Sequence, residues 1–375
     1  MKFKNKTIVI LSQQGWSDGI YVSKHHYAIE LAKRGNIVYF IGGPSQERFI
    51  KSGKIQIIKT SFDNLFVIEH ELFYPLLIKF KMPWLHQILI ALHIKNIIKK
   101  INRKIDVVWS FDLSNTIPLK AFKETTFKIF MPVDEPLDPV AFKAAETAQA
   151  IFSVTEEIIA KYKKYNVPQY CINHGVSEFF LNNHPSDSTN IPVKVGLSGN
   201  FLRPEIDHPV LLRILQSNPA IQFNFFGKID YKIGSDEEVI SFIKAINQLS
   251  NVTIHGSLSP HVLAERLRGV DAFLICYDIN KDQSKGTNYH KLLEYLATGK
   301  VTITNNVTSY KDQPELVVMN ESRDNNNCLP DIFQKVISNL KYYNTLELQQ
   351  KRIRFAEKFR YDSQLEKIES LLNHN

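Results

Sequence analysis

The stretch KGTNYHKLLEYLATGK, residues 285–300, opens polar around one glycine, becomes an apolar helix period and stops on a second glycine. Its spacing predicts a helix starting near Thr287 or Asn288, either of which can cap it. Residues 287, 291, 294 and 298 then share one face, while Leu292, Leu293 and Leu296 turn to the core. Gly299 suits the left-handed position that ends a helix, and VTIT (301–304) reads as the strand that follows.

Lys291 and Glu294 admit two readings. One is an i,i+3 ion pair on a solvated helix, contributing about 0.2–0.5 kcal/mol. The other is a binding site. The first turn of a helix presents free N–H groups and the positive end of the dipole, which favours an anion. Lys291 adds a full charge there. Glu294, one turn deeper, can accept two hydrogen bonds from a diol such as a ribose. Dipole, lysine and carboxylate together suit a nucleoside diphosphate.

Outward from this segment, short β-branched runs alternate with helical periods. Strands are predicted at 7–11, 37–41, 55–59, 66–69, 106–110, 127–131 and 151–154, and again at 193–198, 223–226, 252–254, 272–276 and 301–304. SKHHYAIELAKRG (23–35) and HVLAERLRG (261–269) are among the helical segments between them. Such alternation predicts parallel sheets covered on both faces. The polar, Pro-bounded NNHPSDSTNIP (182–192) reads as a linker. The expectation is two doubly wound, Rossmann-like α/β domains facing a cleft, 1–175 and 193–350, joined by 176–192. A C-terminal helix over 351–375 would return to the first domain. Ligands of open α/β sheets bind outside the carboxyl ends of the strands. The loops after the strands, 12–22, 111–116, 132–139, 199–209, 227–232 and 277–290, are therefore the ones to inspect.

The 375 residues carry 44% hydrophobic and 22% charged residues, a globular composition with room for two cores. A net charge of +8 suits an anionic partner. Cys171, Cys276 and Cys328 are far apart, which argues against a disulfide framework or a zinc site. MKFKNKTIVILSQQGW reads as a first strand rather than a signal peptide. No run approaches the roughly 20 apolar residues of a spanning helix. The expected location is the cytoplasm. There is no Walker loop, no GxGxxG after a strand and no DxD pair.

KGTNYHKLLEYLATGKVTIT resembles the donor-binding segment K-x-x-E-Y-L-A-x-G-K-P-V-V of two-domain (GT-B) glycosyltransferases of family 4 and the xanthan glucuronosyltransferase group. Other segments resemble the same family in order. GIYVSKHHYAIELAKRGNIVYFIGG (19–43) is similar to its first helix and second strand. CINHGVSEFF (171–180) is similar to the entry to its second domain. KVGLSGNFLRPEIDHPVLLRIL (194–215) and NVTIHGSLSPHVLAERLRGVDAFLICY (251–277) follow its donor domain. The resemblance implies a GT-B glycosyltransferase that uses a nucleotide-sugar, of UDP type, as substrate and needs no cofactor or metal. It implies Lys291 on the pyrophosphate and Glu294 on the ribose. Gly199, Arg203 and Lys228 would line the diphosphate, with Thr287, Asn288 and His290 beside them.

Two departures stand out. Many retaining members carry an acidic residue eight positions before the ribose-binding one, and here that position is Gly286. K-P-V-V is K-V-T-I. On the acceptor side, MPVDEPLDP (131–139) follows a predicted strand and resembles a loop whose aspartate serves as base. Asp134 is the first candidate for removing the acceptor proton and Glu135 the second. Asp134 capping a turn before Pro136 is the alternative. Trp16, Asp18, His25 and Asp112 are candidates for the acceptor pocket, although one of His25 and His26 is expected in a core hydrogen bond.

The segment 72–104 contains no acidic residue and seven basic ones, with Trp84 among aliphatics. It reads either as an interfacial helix on an anionic membrane surface or as a long helix with one face in the core. The expected partners are thus a nucleotide-sugar, a saccharide or lipid-linked acceptor and the inner face of the membrane, with no nucleic acid. An inverting transferase of surface-polysaccharide synthesis is the leading expectation. A nucleotide-sugar epimerase on the same fold and a non-catalytic binding protein are the alternatives.

Overall fold

A computed structural model of the chain describes residues 1–16, 21–45, 52–231, 236–282 and 286–373. The chain divides into two compact units: residues 1–173 with the segment from Tyr361 onward, and His174–Arg360.

The first unit is built on β1 (Thr7–Leu11), β2 (Ile37–Ile41), β3 (Ile55–Lys59), β4 (Leu65–His70), β5 (Val107–Ser110), β6 (Phe127–Phe130), β7 (Ala150–Ser153) and β8 (Gln169–Cys171). They lie in the order β3-β4-β2-β1-β5-β6-β7-β8. TIVIL of β1 is buried along its whole length and has parallel neighbours on both sides, β2 and β5. An uninterrupted apolar run is what a strand covered on both faces requires. The expectation of an all-parallel sheet fails at one edge: β3 runs antiparallel to β4. Residues 60–64 between them are too few for a crossover, so the pair closes as a hairpin. The helix Ser23–Lys33 follows β1, and Pro83–Ile101 follows β4. The C-terminal helix Tyr361–Asn373 belongs to this unit, where Tyr361 stacks on His26 at 4.8 Å and Leu371 O accepts the Tyr170 hydroxyl at 3.0 Å.

The second unit contains β9 (Lys194–Asn200), β10 (Gln222–Lys228), β11 (Val252–Gly256), β12 (Ala272–Ile275), β13 (Val301–Thr304) and β14 (Val317–Met319). The order is β11-β10-β9-β12-β13-β14, all parallel. Numbered within the unit this is 3-2-1-4-5-6, the Rossmann order. Strand order reverses between β9 and β12, so the loops leaving those strands diverge and open a crevice. Strands β8 and β14 were not predicted. Each has three residues, QYC and VVM, too few to display a period.

Candidate functional site

The helix of the opening segment is His290–Ala297. Tyr289 occupies the N-cap position and no side chain caps the helix, which corrects the predicted start at Thr287 or Asn288. The physical reason is that residues 286–288 are clasped by a neighbouring loop. Gly286 O accepts Thr308 N–H at 2.9 Å, and Thr287 O accepts both Ser309 N–H at 3.1 Å and Ser309 Oγ at 2.6 Å. Thr287 and Asn288 are buried in that clasp. The C-terminal end matches expectation: Gly299 has φ +82°. Gly299 O accepts a guanidinium N–H of the buried Arg352 at 3.0 Å.

Tyr295 fixes this helix against β9. Its ring lies on Phe273 at 4.0 Å, nearly parallel, and Phe273 packs against the bare Cα of Gly196. Its hydroxyl accepts Ser198 N–H at 2.7 Å and lies 2.8 Å from Ser198 Oγ. Lys291, one turn earlier, is thereby carried to the carboxyl end of β9. Lys291 Nζ donates to Ser198 O at 2.6 Å and to the Tyr277 hydroxyl at 2.9 Å, and sits 5.0 Å from the Tyr277 ring centre. Tyr277 follows β12, so the lysine bridges the two strands of the switch point. Sequence reading did not single out Tyr277; its position as the first residue of the 277–290 loop was the only signal.

Two glycines keep this crevice open. Gly199 and Gly227 face each other in the β9–β10 register, with φ +141° and +149°. A Cβ on Gly227 would fall 1.7 Å from Gly199 O, and one on Gly199 would fall 2.7 Å from Lys291 Nζ. Gly227 has no room for a side chain, because backbone occupies the space, and the φ of both positions is one that L side chains rarely adopt.

Electrostatics favour an anion. Glu294 is 9% exposed, and burial raises its carboxyl to about 7 although Lys291 pulls it down. His290 Nδ1 lies 3.5 Å from Glu294 Oε1. Burial, then Lys291, lowers His290 to about 4; burial, then His290, lowers the neighbouring His174 to about 3. Both rings are therefore neutral at pH 7. Burial opposes the charge of Lys291, but Tyr277 and Tyr295 favour it and the net shift is upward. A positive lysine, two neutral imidazoles and a carboxylate whose ionisation burial opposes leave this group cationic.

Gly286, with φ +65°, begins a buried network. Its N–H and the Tyr289 hydroxyl donate to Asp282 Oδ2 at 3.0 and 2.7 Å, and Asn305 Nδ2 donates to Tyr289 at 3.1 Å. A Cβ at 286 would meet Asn306 O at 2.5 Å. The position therefore has no room for the carboxylate of the retaining pattern. Arg203 is oriented by Glu205, to which its Nε and Nη2 donate at 3.2 and 3.0 Å, and its charge acts on Lys291. The bond to Glu205 also raises it above its ordinary range despite burial. Lys228 is exposed at the end of β10, next to Gly227.

In the first unit a cavity of ≈ 960 Å³ opens at the carboxyl ends of β1, β2 and β4, and the loop after β5 also lines it. Trp16 and Asp112 line it, as predicted candidates, and Glu69 adds a carboxylate that sequence reading did not select. Asp112 is not a free group. Its two oxygens accept N–H bonds from Ser114 at 2.9 Å and Thr116 at 2.9 Å, folding the loop 112–117 around it. His25 is fully buried. Its Nδ1 accepts Val22 N–H and its Nε2 donates to Gly15 O, each at 3.2 Å, with the ring stacked on Phe40. It caps its own helix from the third position, which corrects its assignment to the acceptor. Asp18 lies outside the described residues. In the loop after β6, Asp134 is exposed, and it is not among the described residues lining the cavity. Glu135 is paired with Lys161, which removes it as a ready base. The turn cap in that loop is Asp138, which accepts Ala141 N–H at 2.8 Å, rather than Asp134.

No family model matches the chain. No curated protein matches it either. Solved structures do. Sucrose-phosphate synthase from Thermosynechococcus elongatus superposes with a TM-score of 0.71 at 12% identity, covering 98% of this chain and 99% of that one. HepE from Anabaena, in complex with UDP and glucose, gives 0.67 at 12% identity, covering 99% and 100%. A glycosyltransferase from Rickettsia africae gives 0.62 at 14% identity, covering 99% and 100%. Likenesses of this identity establish architecture, and they span both units: the chain has the GT-B fold.

Proposed function

We propose that the protein is a glycosyltransferase. It moves a sugar from a nucleotide-sugar, of UDP type, to a saccharide or lipid-linked acceptor in surface-polysaccharide synthesis, working at the cytoplasmic face of the membrane. The observation that carries this reading is Lys291, held by Ser198 O and Tyr277 at a crevice kept bare by Gly199 and Gly227. The diphosphate would take over the lysine and the amides that open the His290–Ala297 helix. The ribose hydroxyls would donate to Glu294, which ionises fully on receiving them. The choice of uridine is supported by the HepE structures, which hold UDP or UDP-glucose.

In the reaction, the acceptor oxygen forms a bond to the anomeric carbon as the bond from that carbon to the diphosphate oxygen breaks. The acceptor proton goes to Asp134, and the charge leaving with the diphosphate is stabilised by Lys291 and the helix dipole. Attack from the face opposite the leaving group inverts the centre. The lack of room for a side chain at Gly286 supports inversion over the retaining pattern. The test is incubation with labelled UDP-sugars. UDP release that depends on acceptor is expected. A changed sugar without release identifies an epimerase, and no turnover with any donor points to a non-catalytic binding protein.

A further inference from the structure

The helix Pro83–Ile101 has two apolar faces. His86, Ile90, His93, Ile94, Ile97 and Ile101 are buried against the first unit. At about 100° per residue, Trp84, Ile88 and Leu92 fall on the opposite side, and Lys95 and Lys99 extend the same stripe. These three residues, with Leu77 and Phe80 just before the helix, are 49–67% exposed. Single exposed apolar residues are ordinary, but a contiguous ridge of large ones marks a contact surface.

The charge around the ridge selects the partner. No acidic residue occurs from 72 to 104, and Lys81, Lys95, Lys99, Arg103 and Lys104 are exposed. An apolar ridge with a tryptophan, on a segment whose only charges are positive, complements an anionic lipid surface. Among the described residues no helix is long and apolar enough to cross a membrane, so this helix would lie in the interface.

We propose that Leu77, Phe80, Trp84, Ile88 and Leu92, with the flanking lysines, form a docking face that seats in an anionic bilayer. This deepens the membrane location in the functional reading above by naming the surface. It also brings the first-unit cavity to the lipid, because Leu76, Lys79 and Phe80 line that cavity as well. Lys79 turns inward, donating to Thr116 Oγ1 at 3.0 Å, so the segment is tied to the cavity loop while Leu77 and Phe80 stay exposed.

The test is co-sedimentation of the full chain with phosphatidylcholine vesicles, with and without phosphatidylglycerol. Binding is expected only with the anionic lipid and should weaken with salt. Trp84→Ser/Ile88→Ser/Leu92→Ser should abolish it. Lys95→Gln/Lys99→Gln should lower affinity about thirtyfold, from about 1 kcal/mol per basic residue at such a surface. Brominated lipid should quench the native protein and leave Trp84→Phe unquenched. Thermal unfolding and UDP titration of the same variants should match the native chain. The proposal fails if the native chain ignores anionic vesicles or if the triple variant still binds them. It also fails if the native chain is a dimer that the triple variant turns into a monomer, because the ridge then meets a second copy. Loss of UDP binding by the native chain would instead remove the donor reading and leave the vesicle result standing.

Discussion

Replacing Glu294 with Gln should make the protein more stable and the donor weaker. Burial raises this carboxyl from its ordinary 4.5 to about 7. The folded chain therefore holds the proton more tightly than the unfolded chain. Stability is greatest below pH 4.5, falls as pH rises through the interval to about 7, and is flat above it. At about 1.4 kcal/mol per pH unit, the charged carboxylate costs the folded state about 3 kcal/mol at pH 8. Glutamine has no charge to desolvate. Glu294→Gln should thus gain about 3 kcal/mol at pH 8 and almost nothing at pH 4.5. For a unit of this size that is about 6–12 °C in the midpoint of thermal unfolding. Calorimetric scans of both proteins at the two pH values measure it. The same substitution should weaken UDP about 10–100-fold, the scale of hydrogen bonds to a charged acceptor. An equal gain at both pH values would refute the argument from burial. Unchanged UDP affinity would refute the ribose role. Both changes together identify a residue kept for binding at the expense of stability.

Three further outcomes follow from the geometry. Lys291→Ala should lower affinity for UDP about 10–100-fold while leaving uridine unaffected, because the lysine faces the diphosphate; isothermal titration with both ligands decides it, and equal losses would place Lys291 elsewhere. Gly227→Ala should destabilise the second unit by about 3 kcal/mol or more, since its Cβ would sit 1.7 Å from Gly199 O; an unchanged unfolding midpoint contradicts this. Asp134→Asn should keep UDP affinity and lower turnover about 10²–10⁴-fold; surviving turnover transfers the role of base to another carboxylate, with Glu69 of the first-unit cavity next in line.

Most of the strand positions could be read from the chain because each is a local apolar run, and an interior parallel strand must be apolar on both faces. TIVIL and VTIT announce themselves. The three-residue strands QYC and VVM do not, because they borrow their conformation from a neighbour. The antiparallel β3 was misread because strand direction depends on how the connection closes. At the candidate site, Lys291, Glu294, Gly199 and Gly286 were legible from spacing and resemblance. The partners that give them chemical character were not. Ser198 lies 93 positions from Lys291 and Tyr277 lies 14 before it. Nothing in the local pattern says that they meet.

Other side chains were read by type and then claimed by their surroundings. His25 looked like an acceptor contact and holds a helix start; Asp112 folds its own loop; Arg203 is oriented by Glu205. The sequence by itself determined the alternation of strands and helices, hence two α/β units, and the presence of a lysine, a carboxylate and bare glycines at one strand end. Those are consequences of local hydrophobic period and backbone freedom. Only the tertiary structure decided which polar groups are already satisfied by a neighbour and which remain for a ligand. That depends on which chain segments are brought within about 3 Å of one another, and hydrogen bonds are formed at that range regardless of separation in sequence.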